Sequence, residues 1–230
     1  MNASNRKRFE YLETELLQVA SPERASQMKA YMRDQFDYLG INSPQRKEIS
    51  RFANSQFPFQ KIGDFAEWMS TCWKQPYREY KYICFDLGFR LTKKMDADWV
   101  EFFEPYIGKD SWWDTVDGIT PHFLGDLLKN KPKMLRTKCE QWIESDNIWY
   151  QRSAHIVQLR YGRDTDFPLM CDMILRRADS KEFFVKKAAG WALRQYSKYE
   201  PDKVKKFIEK NTLSGLTVRE GMKHITKTTT

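Results

Sequence analysis

Two indoles and two carboxylates lie close together in the segment KDSWWDTVD, residues 109–117. On a helix, Trp113 and Asp117 are four residues apart and share a face, as do Asp114 and Asp117, which are three apart. A carboxylate beside aromatic faces can stabilise a substrate that carries or develops positive charge. The same pattern is typical of a helix start with one tryptophan in the core and acidic residues near the positive end of the helix dipole. The segment alone leaves both interpretations open.

A further indole, Trp191, lies in the segment KKAAGWALR, residues 186–194. Lys187 stands four positions before it and Arg194 three positions after it, so both cations could flank the ring on a helix. The three small residues at 188–190 would allow another backbone to approach closely. This segment is either an ordinary close-packed helix or a second aromatic wall beside the carboxylate, with cations for a phosphate backbone.

The elements that must position these residues are predicted to be helices. Apolar residues recur at three- and four-residue spacing along almost the whole chain, and no stretch shows sustained strand alternation. Ser21-Pro22 and Ser43-Pro44 each place a cap residue before a proline suited to a first helical turn, and Ser180 is a further N-cap candidate. The sequence therefore predicts an all-α protein.

An internal repeat favours stacked helix pairs over a generic bundle. Aromatic residues recur at predicted helix starts with steps of 35, 37 and 34 residues, at Tyr77, Trp112, Trp149 and Phe183. A period of this size, filled by two helices, is typical of HEAT-like solenoids, although four amphipathic helices could also produce it by accident. Such an array offers helix N-termini and basic side chains that can take up phosphates.

Composition adds a polyanionic partner as a hypothesis. The 230 residues include 39 Lys and Arg against 31 Asp and Glu, a formal net charge of +8. The four cysteines and three histidines are scattered, without metal-ligand spacing, and are interpreted as reduced core thiols and structural histidines. No signal peptide or membrane span is recognised, so we expect a soluble protein in the cytoplasm. We also expect a monomer. We expect one domain over residues 1–226 and a frayed tail over 227–230.

Five segments in the same order resemble the AlkD family of DNA alkylation repair glycosylases. They cover nearly the whole chain and comprise residues 31–47, SWWDTVD, HFLGD, SDNIWYQR and SKEFFVKKAAGWALRQY. The resemblance implies a right-handed superhelix of HEAT-like repeats whose concave face cradles duplex DNA. It also implies hydrolysis of the N-glycosidic bond of cationic alkylpurines such as N3-methyladenine and N7-methylguanine, without a metal or cofactor, while the damaged base stays stacked.

The resemblance also assigns roles to individual residues. The active-site carboxylate falls on Asp117, its indole walls on Trp113 and Trp191, and a phosphate-gripping arginine on Arg152. Contacts to the DNA backbone in the N-terminal repeats fall on Tyr31, Asn42, Ser43, Arg46 and Lys47. Asn42 and Ser43 stand where the family pattern has the longer Gln and Thr, which weakens those two assignments but not the chemistry.

Lys187 and Arg194 complete the expected DNA contacts. Lysines beside aromatic residues are usually phosphate contacts or surface groups rather than Schiff-base nucleophiles, so the expected enzyme is monofunctional and does not cleave the strand. Two other classes remain open. One is a non-catalytic HEAT-like solenoid that binds unusual nucleic-acid structures, which retention of Asp117 with both indoles disfavours. The other is a protein-binding scaffold, which the positive charge disfavours.

Overall fold

The computed structural model describes residues 1–228, with side chains to residue 226. Regular secondary structure in this range is helical throughout, and the only extended pairing is an isolated bridge between Asp37 and Tyr77. The predicted all-α fold is confirmed.

Contacts divide the described chain into two compact units, Met1–Met95 and the part that begins at Asp96. In the first unit, α1 packs on α3, α3 on α5, and α4 on α5. Its helices are α1 (Ala3–Gln18), α2 (Pro22–Tyr31), α3 (Ser43–Gln56), α4 (Ile62–Trp73) and α5 (Arg78–Gly88), followed by a 3-10 turn at Leu91–Lys94.

The second unit stacks helices in two layers. Helices α7, α10, α12 and α14 form one layer, in which each helix contacts the next. Helices α9, α11 and α13 form the second layer, which packs against the first. Its α-helices are α6 (Trp99–Phe103), α7 (Trp113–Ile119), α8 (Gly125–Leu128), α9 (Pro132–Ile143), α10 (Ile148–Ile156), α11 (Phe167–Arg176), α12 (Phe183–Tyr196), α13 (Pro201–Lys210) and α14 (Gly215–Thr228). A π-helical turn, Thr120–Leu124, joins α7 to α8, and 3-10 turns span Glu104–Ile107 and Gly162–Asp164. The predicted stacking of helical repeats is confirmed within this unit.

The aromatic residues of the repeat lie at helix starts, as predicted. Tyr77 caps α5, Trp112 caps α7, Trp149 lies in the first turn of α10, and Phe183 is the first residue of α12. The repeat therefore marks equivalent helices, and three of them stack directly.

The predicted N-caps are correct in one case and displaced in two. Ser21 caps α2 by accepting a hydrogen bond from the backbone N–H of Arg24. Asn42 rather than Ser43 caps α3, so the predicted cap becomes the first helical residue. The prediction that Ser180 caps α12 was wrong by two residues, because Glu182 is the N-cap. The Ser180 hydroxyl accepts a hydrogen bond from the backbone N–H of Glu182.

Two further predictions concern the cysteines and the C-terminal tail. Cys72, Cys84 and Cys139 are buried free thiols, as expected, whereas Cys171 is partly exposed. Burial raises the pKa of Cys171 to about 12, so this thiol stays protonated at neutral pH. The predicted tail, 227–230, begins within α14, and residues 229 and 230 lie outside the described residues. The single domain over 1–226 stays a prediction.

Close contact between α12 and α14 depends on Gly190. A Cβ atom there would lie 2.5 Å from the Cβ of Glu220 and 2.8 Å from the carbonyl oxygen of Thr217. These distances are too short for non-bonded atoms, so only a glycine permits the observed packing. The predicted close approach of a second backbone at 188–190 is confirmed.

We predict that Gly190→Ala destabilises the protein by about 1 to 3 kcal/mol, because the added methyl group overpacks two helix backbones. The matched control is Gly215→Ala, where an added Cβ meets no atom within 4 Å. Gly215 begins a helix, so its replacement by alanine should be neutral or stabilising. Urea denaturation of both variants measures the difference, and equal free energies of unfolding would contradict the close approach.

Candidate active site

The site is built around the start of α7, where a group of aromatic rings covers the ends of three helices. The centroid of the Phe184 ring lies 5.1 Å from that of Trp149 and 5.2 Å from that of Trp112, and the two indoles are 5.5 Å apart. These contacts hold the first turns of α7, α10 and α12 together. They also surround the neighbouring polar groups with apolar surface, which strengthens electrostatic interactions there.

Asp117 and Arg152 form a bidentate ion pair inside this region. The Nε and Nη2 atoms of Arg152 donate to the Oδ1 and Oδ2 atoms of Asp117, each at 2.8 Å. The third guanidinium nitrogen, Nη1, donates to the carbonyl oxygen of Phe184 at 2.9 Å. Arg152 therefore joins α7, α10 and α12 through hydrogen bonds that fix its plane and the orientation of the carboxylate.

Burial and charge oppose each other at Asp117, whose side chain is 18% exposed while that of Arg152 is 5% exposed. Burial raises the pKa of Asp117 above the ordinary carboxylate value, the positive charge and hydrogen bonds of Arg152 counteract that rise, and Asp114 adds to it. The bidentate ion pair holds the carboxylate as a partly desolvated anion, oriented by its partner and still reachable from solvent.

Trp191 lies beside the ion pair, and Trp113 lies on α7, the helix that carries Asp117. The Cζ atom of Arg152 is 6.0 Å from the centroid of the Trp191 ring, on α12. Trp113 is the first residue of α7, one helical turn before Asp117. Both indoles are half-buried, so each keeps part of its surface accessible. The structure thus brings Asp117, Arg152 and Trp191 together.

Lys187 and Arg194 occupy different surroundings on α12. Lys187 is exposed, and its Nζ atom lies 5.5 Å from the centroid of the Phe183 ring. Arg194 donates to Glu220 at 3.1 Å, and Lys223 binds the same carboxylate at 2.5 Å. Burial alone would raise the pKa of Glu220, but Lys223, Lys187 and Arg194 lower it below the ordinary value. Lys187 is therefore the more available cation.

The helix that carries Asp117 changes its winding three residues after it. Pro121 lacks the N–H that would bond the carbonyl of Asp117 in a regular α-helix, and the chain widens into the π-helical turn Thr120–Leu124. One hydrogen bond of 2.8 Å joins the hydroxyls of Thr120 and Ser153. The hydroxyl of Tyr161 donates to the carbonyl of Gly125 at 2.8 Å. These bonds fix the widened segment and so the position of Asp117 relative to α10.

The predicted DNA contacts of the first unit gather around α3, except Tyr31, which ends α2 with 74% of its surface exposed. Arg46 is buried, lies 2.8 Å from Asp86 and places its Cζ atom 5.0 Å from the Tyr82 ring centroid. The charge of Arg46 is thus already balanced. The other three residues are the helix cap Asn42, the exposed Ser43 and the exposed Lys47.

Sequence reasoning missed three participants in the site. Phe184 supplies both a ring and the carbonyl that binds Arg152, Glu220 neutralises Arg194, and Thr120 links the widened turn to α10. The aromatic repeat could have indicated Phe184, because its neighbours mark equivalent helix starts. Nothing in the sequence pairs Glu220 with Arg194, since their contact depends on helix packing.

Residues 1–228 contain no group of three His, Cys, Asp or Glu side chains placed to hold a metal ion. None of the helices in that range combines the length and apolar character of a membrane span.

Comparison with known proteins gives one family. The model of the family described as DNA alkylation repair enzyme matches residues 12–225. A solved structure described as a predicted DNA alkylation repair enzyme from Enterococcus faecalis is 31% identical with a TM-score of 0.83, over 90% of this chain and 97% of that one. No curated protein matches.

Two more distant structures share the fold. AlkD2 from Streptococcus mutans is 17% identical with a TM-score of 0.57, over 86% of this chain and 96% of that one. The structure of smu.31 from Streptococcus mutans UA159 is 17% identical with a TM-score of 0.56, over 78% and 89% of the two chains. At this identity they support the all-α architecture alone.

We predict that Arg152→Gln destabilises the protein by about 3 kcal/mol at neutral pH, because it leaves the Asp117 carboxylate partly buried without its cation. The double variant with Asp117→Asn should lose less than the sum of the two single variants, since the neutral amide needs no cation. Urea denaturation measures all three.

The control for this cycle is Lys29→Gln, which breaks the ion pair between Lys29 and Asp37. The side chain of Lys29 is 44% exposed and that of Asp37 is 63% exposed. An exposed pair contributes little to stability, so this variant should unfold at nearly the parent urea concentration. Additive losses in the Arg152 and Asp117 variants would show that the two side chains do not interact in solution.

Proposed function

The chain belongs to the family of DNA alkylation repair enzymes, and we propose that it is a glycosylase hydrolysing the N-glycosidic bond of cationic alkylated purines in duplex DNA. The substrates in this proposal are N3-methyladenine, N7-methylguanine and bulkier adducts at the same positions. One observation carries it: a partly desolvated carboxylate, Asp117, forms a bidentate ion pair with Arg152 that orients it in aromatic surroundings.

The proposed reaction needs no general acid, but it depends on an anion close to the deoxyribose. An N-alkylated purine is already positively charged, so it can leave with the glycosidic electron pair as a neutral base without being protonated. The deoxyribose then develops oxocarbenium character, which a nearby carboxylate stabilises electrostatically. Water adds to C1′ and loses a proton to Asp117 or solvent, giving an abasic sugar. The reaction is complete without a metal or a covalent enzyme intermediate.

Arg152 acts on this reaction through Asp117. The guanidinium occupies one lone pair on each carboxylate oxygen and leaves the others able to accept a hydrogen bond from the attacking water. Two of its five N–H groups are not used by Asp117 or Phe184, so the expected contact with a phosphate stays part of the proposal. Its burial makes the positioning role the better supported one.

The indoles provide selectivity. Trp113 and Trp191 can place their faces toward a cationic base, and each such contact contributes on the order of 0.5 to 2 kcal/mol. A neutral base gains no cation–π attraction and is also a poorer leaving group. The proposal therefore explains discrimination without hydrogen bonds that read the base.

Binding of the DNA backbone falls to exposed cations. Lys187 is exposed at the start of α12, and Lys47 is exposed on α3. The charges of Arg46 and Arg194 are balanced by carboxylates, so those two residues contribute phosphate contacts only if DNA competes for them. We propose a monomeric, monofunctional enzyme that acts on DNA in the cytoplasm and does not cleave the strand.

We predict that the purified protein releases free base from duplex DNA containing N7-methylguanine, in buffer with EDTA, and that Asp117→Asn lowers the single-turnover rate at least about 100-fold. Removing the carboxylate charge removes the main stabilisation of the sugar cation. Chromatography of the released base and quantification of abasic sites measure the rate. Trp191→Ala should lose on the order of tenfold through its cation–π contact.

The matched control is Asp172→Asn, an exposed carboxylate on α11 that pairs with Arg176 one turn away. This variant should release base at the parent rate. Salt-sensitive DNA binding without base release by the parent protein would overturn the glycosylase and favour a non-catalytic binder.

We predict that the rate of base release at saturating enzyme falls as pH decreases through the pKa of Asp117, which lies above the ordinary carboxylate value. The anionic form is required, so activity is complete above this pKa and lost below it. In Arg152→Gln the cation that opposes the effect of burial is gone, and the midpoint should move to higher pH. Arg152→Lys should shift it less. Identical profiles for the parent and Arg152→Gln would mean that Arg152 does not control the ionisation of Asp117.

A further inference from the structure

The π-helical turn after α7 is attached at both of its ends to α10 and the residues that follow α10. At its start, a hydrogen bond of 2.8 Å joins the hydroxyls of Thr120 and Ser153, and neither residue has exposed surface. At its end, the hydroxyl of Tyr161 donates to the carbonyl of Gly125. A Cβ atom on Gly125 would lie 2.5 Å from the carbonyl oxygen of Val157, so the two backbones are in close contact there.

The bond between the two hydroxyls has one possible direction. Ser153 has a single hydroxyl proton, which it donates to the carbonyl oxygen of Trp149 at 2.9 Å. Ser153 can therefore only accept from Thr120, and the two bonds form a hydrogen-bond chain from Thr120 through Ser153 to Trp149. Trp149 also contributes its ring to the aromatic group around the site. The hydrogen-bond chain thus connects the turn behind Asp117 with the start of α10.

This hydrogen-bond chain lies beside the ion pair and joins the same two helical segments. Thr120 follows Asp117 by three residues, about one helical turn, and Ser153 directly follows Arg152. The buried hydroxyls set the distance between the two segments, while the ion pair presents a carboxylate that solvent can still reach. A shift at the hydroxyls is therefore transmitted to the ion pair.

The backbone restrains this position less than a regular α-helix would. Pro121 has no N–H to bond the carbonyl oxygen of Asp117, and the carbonyl of Thr120 accepts from the N–H of Gly125, five residues later. Single π-helical turns inside α-helices occur frequently at functional sites. The hydrogen bond from the Thr120 side chain supplies a restraint that the helix backbone has lost.

Stability alone does not require two hydroxyls in this place. Replacing both partners of a buried hydrogen bond by apolar groups of the same shape can be nearly neutral, whereas removing one partner leaves the other unsatisfied. Valine in place of Thr120 and alanine in place of Ser153 would occupy nearly the same volume. The two hydroxyls are therefore better explained by a need for precise position than by a need for stability.

We propose that Thr120 and Ser153 are positioning residues for the reaction at Asp117, because their hydrogen-bond chain holds α7 and α10 at the separation at which Arg152 orients the carboxylate. Neither residue touches the substrate. The inference rests on the proposed function for the reaction itself. It adds two buried residues that determine the rate without contacting DNA.

The test compares single-turnover base release from duplex DNA containing N7-methylguanine with binding of the same duplex. The double variant Thr120→Val with Ser153→Ala removes both hydroxyls together, so it should melt close to the parent temperature. Its rate should fall by about 10- to 100-fold at unchanged DNA affinity, because a small misplacement of a catalytic group has a large effect on rate. Thr120→Ser keeps the donor and should retain most of the parent rate.

The matched control is Ser50→Ala on α3. Ser50 is as buried as Ser153 and likewise donates to the carbonyl four residues earlier, that of Arg46, at 2.6 Å. Its bond lies within one helix, so this variant should release base at the parent rate. A parent rate in the double variant would overturn the proposal, as would an equal loss of rate in Ser50→Ala.

A second measurement does not depend on activity. The ¹³C NMR resonance of the Asp117 carboxyl carbon, assigned by its loss in Asp117→Asn, reports the ionisation of this group. Burial and Asp114 raise the pKa of Asp117, and Arg152 opposes that rise. A loosened ion pair in the double variant should therefore move the titration midpoint to higher pH. An unchanged midpoint would overturn the positioning role, even if the rate had fallen.

The two measurements keep this inference separate from the proposed function. A raised midpoint in the double variant without base release by the parent protein would reject the glycosylase and retain Thr120 and Ser153 as residues that position the carboxylate. Base release by the parent, with the parent rate and midpoint in the double variant, would retain the glycosylase and reject the positioning role.

Discussion

The ion pair between Asp117 and Arg152 joins three helices that lie far apart in the sequence. Its three short hydrogen bonds run from α10 to the carboxylate on α7 and to a backbone carbonyl on α12. Other features of the second unit serve this arrangement. The aromatic rings at the three helix starts surround it. The widened turn after Asp117, held by the hydrogen bond between Thr120 and Ser153, fixes the position of the carboxylate relative to α10. Without the pair, the carboxylate would be desolvated with no compensating charge.

Stability alone does not explain such a pair. The cost of removing two charges from water often exceeds their attraction, and apolar residues of similar volume can be as stable in the same place. What the pair provides is an anion whose orientation is set before any substrate arrives, in surroundings where its field is strong. A carboxylate that must stabilise a developing sugar cation needs these properties. The chemistry of the proposed function would therefore account for an interaction that the energetics of folding would not select.

The sequence predicts most of the architecture and part of the site. Periodicity predicts helices because amphipathic faces are local. The aromatic repeat predicts equivalent helix starts because Trp112, Trp149 and Phe183 each lie at the cap or within the first two residues of a helix. Gly190 is predictable as a point of close approach because only a missing side chain permits it. Arg152 was expected to grip phosphate, but sequence spacing cannot show that its guanidinium faces a carboxylate 35 residues away. That contact depends on how helices stack, as does the pairing of Arg194 with Glu220.

Burial divides the charges of this protein into two groups with different tasks. The proposed substrate presents a conflict, because the DNA backbone is a polyanion while an alkylated purine is a cation. A net charge of +8 attracts the first and repels the second. In the proposed function, exposed cations such as Lys47 and Lys187 act on the backbone through solvent, where salt screens them within about 10 Å. In the same proposal Asp117 acts at short range from partly desolvated surroundings, where screening is weak and its own counter-ion holds it in place. Because the two fields differ in range, one basic protein can bind the polyanion over its surface and still favour a cation at one buried point.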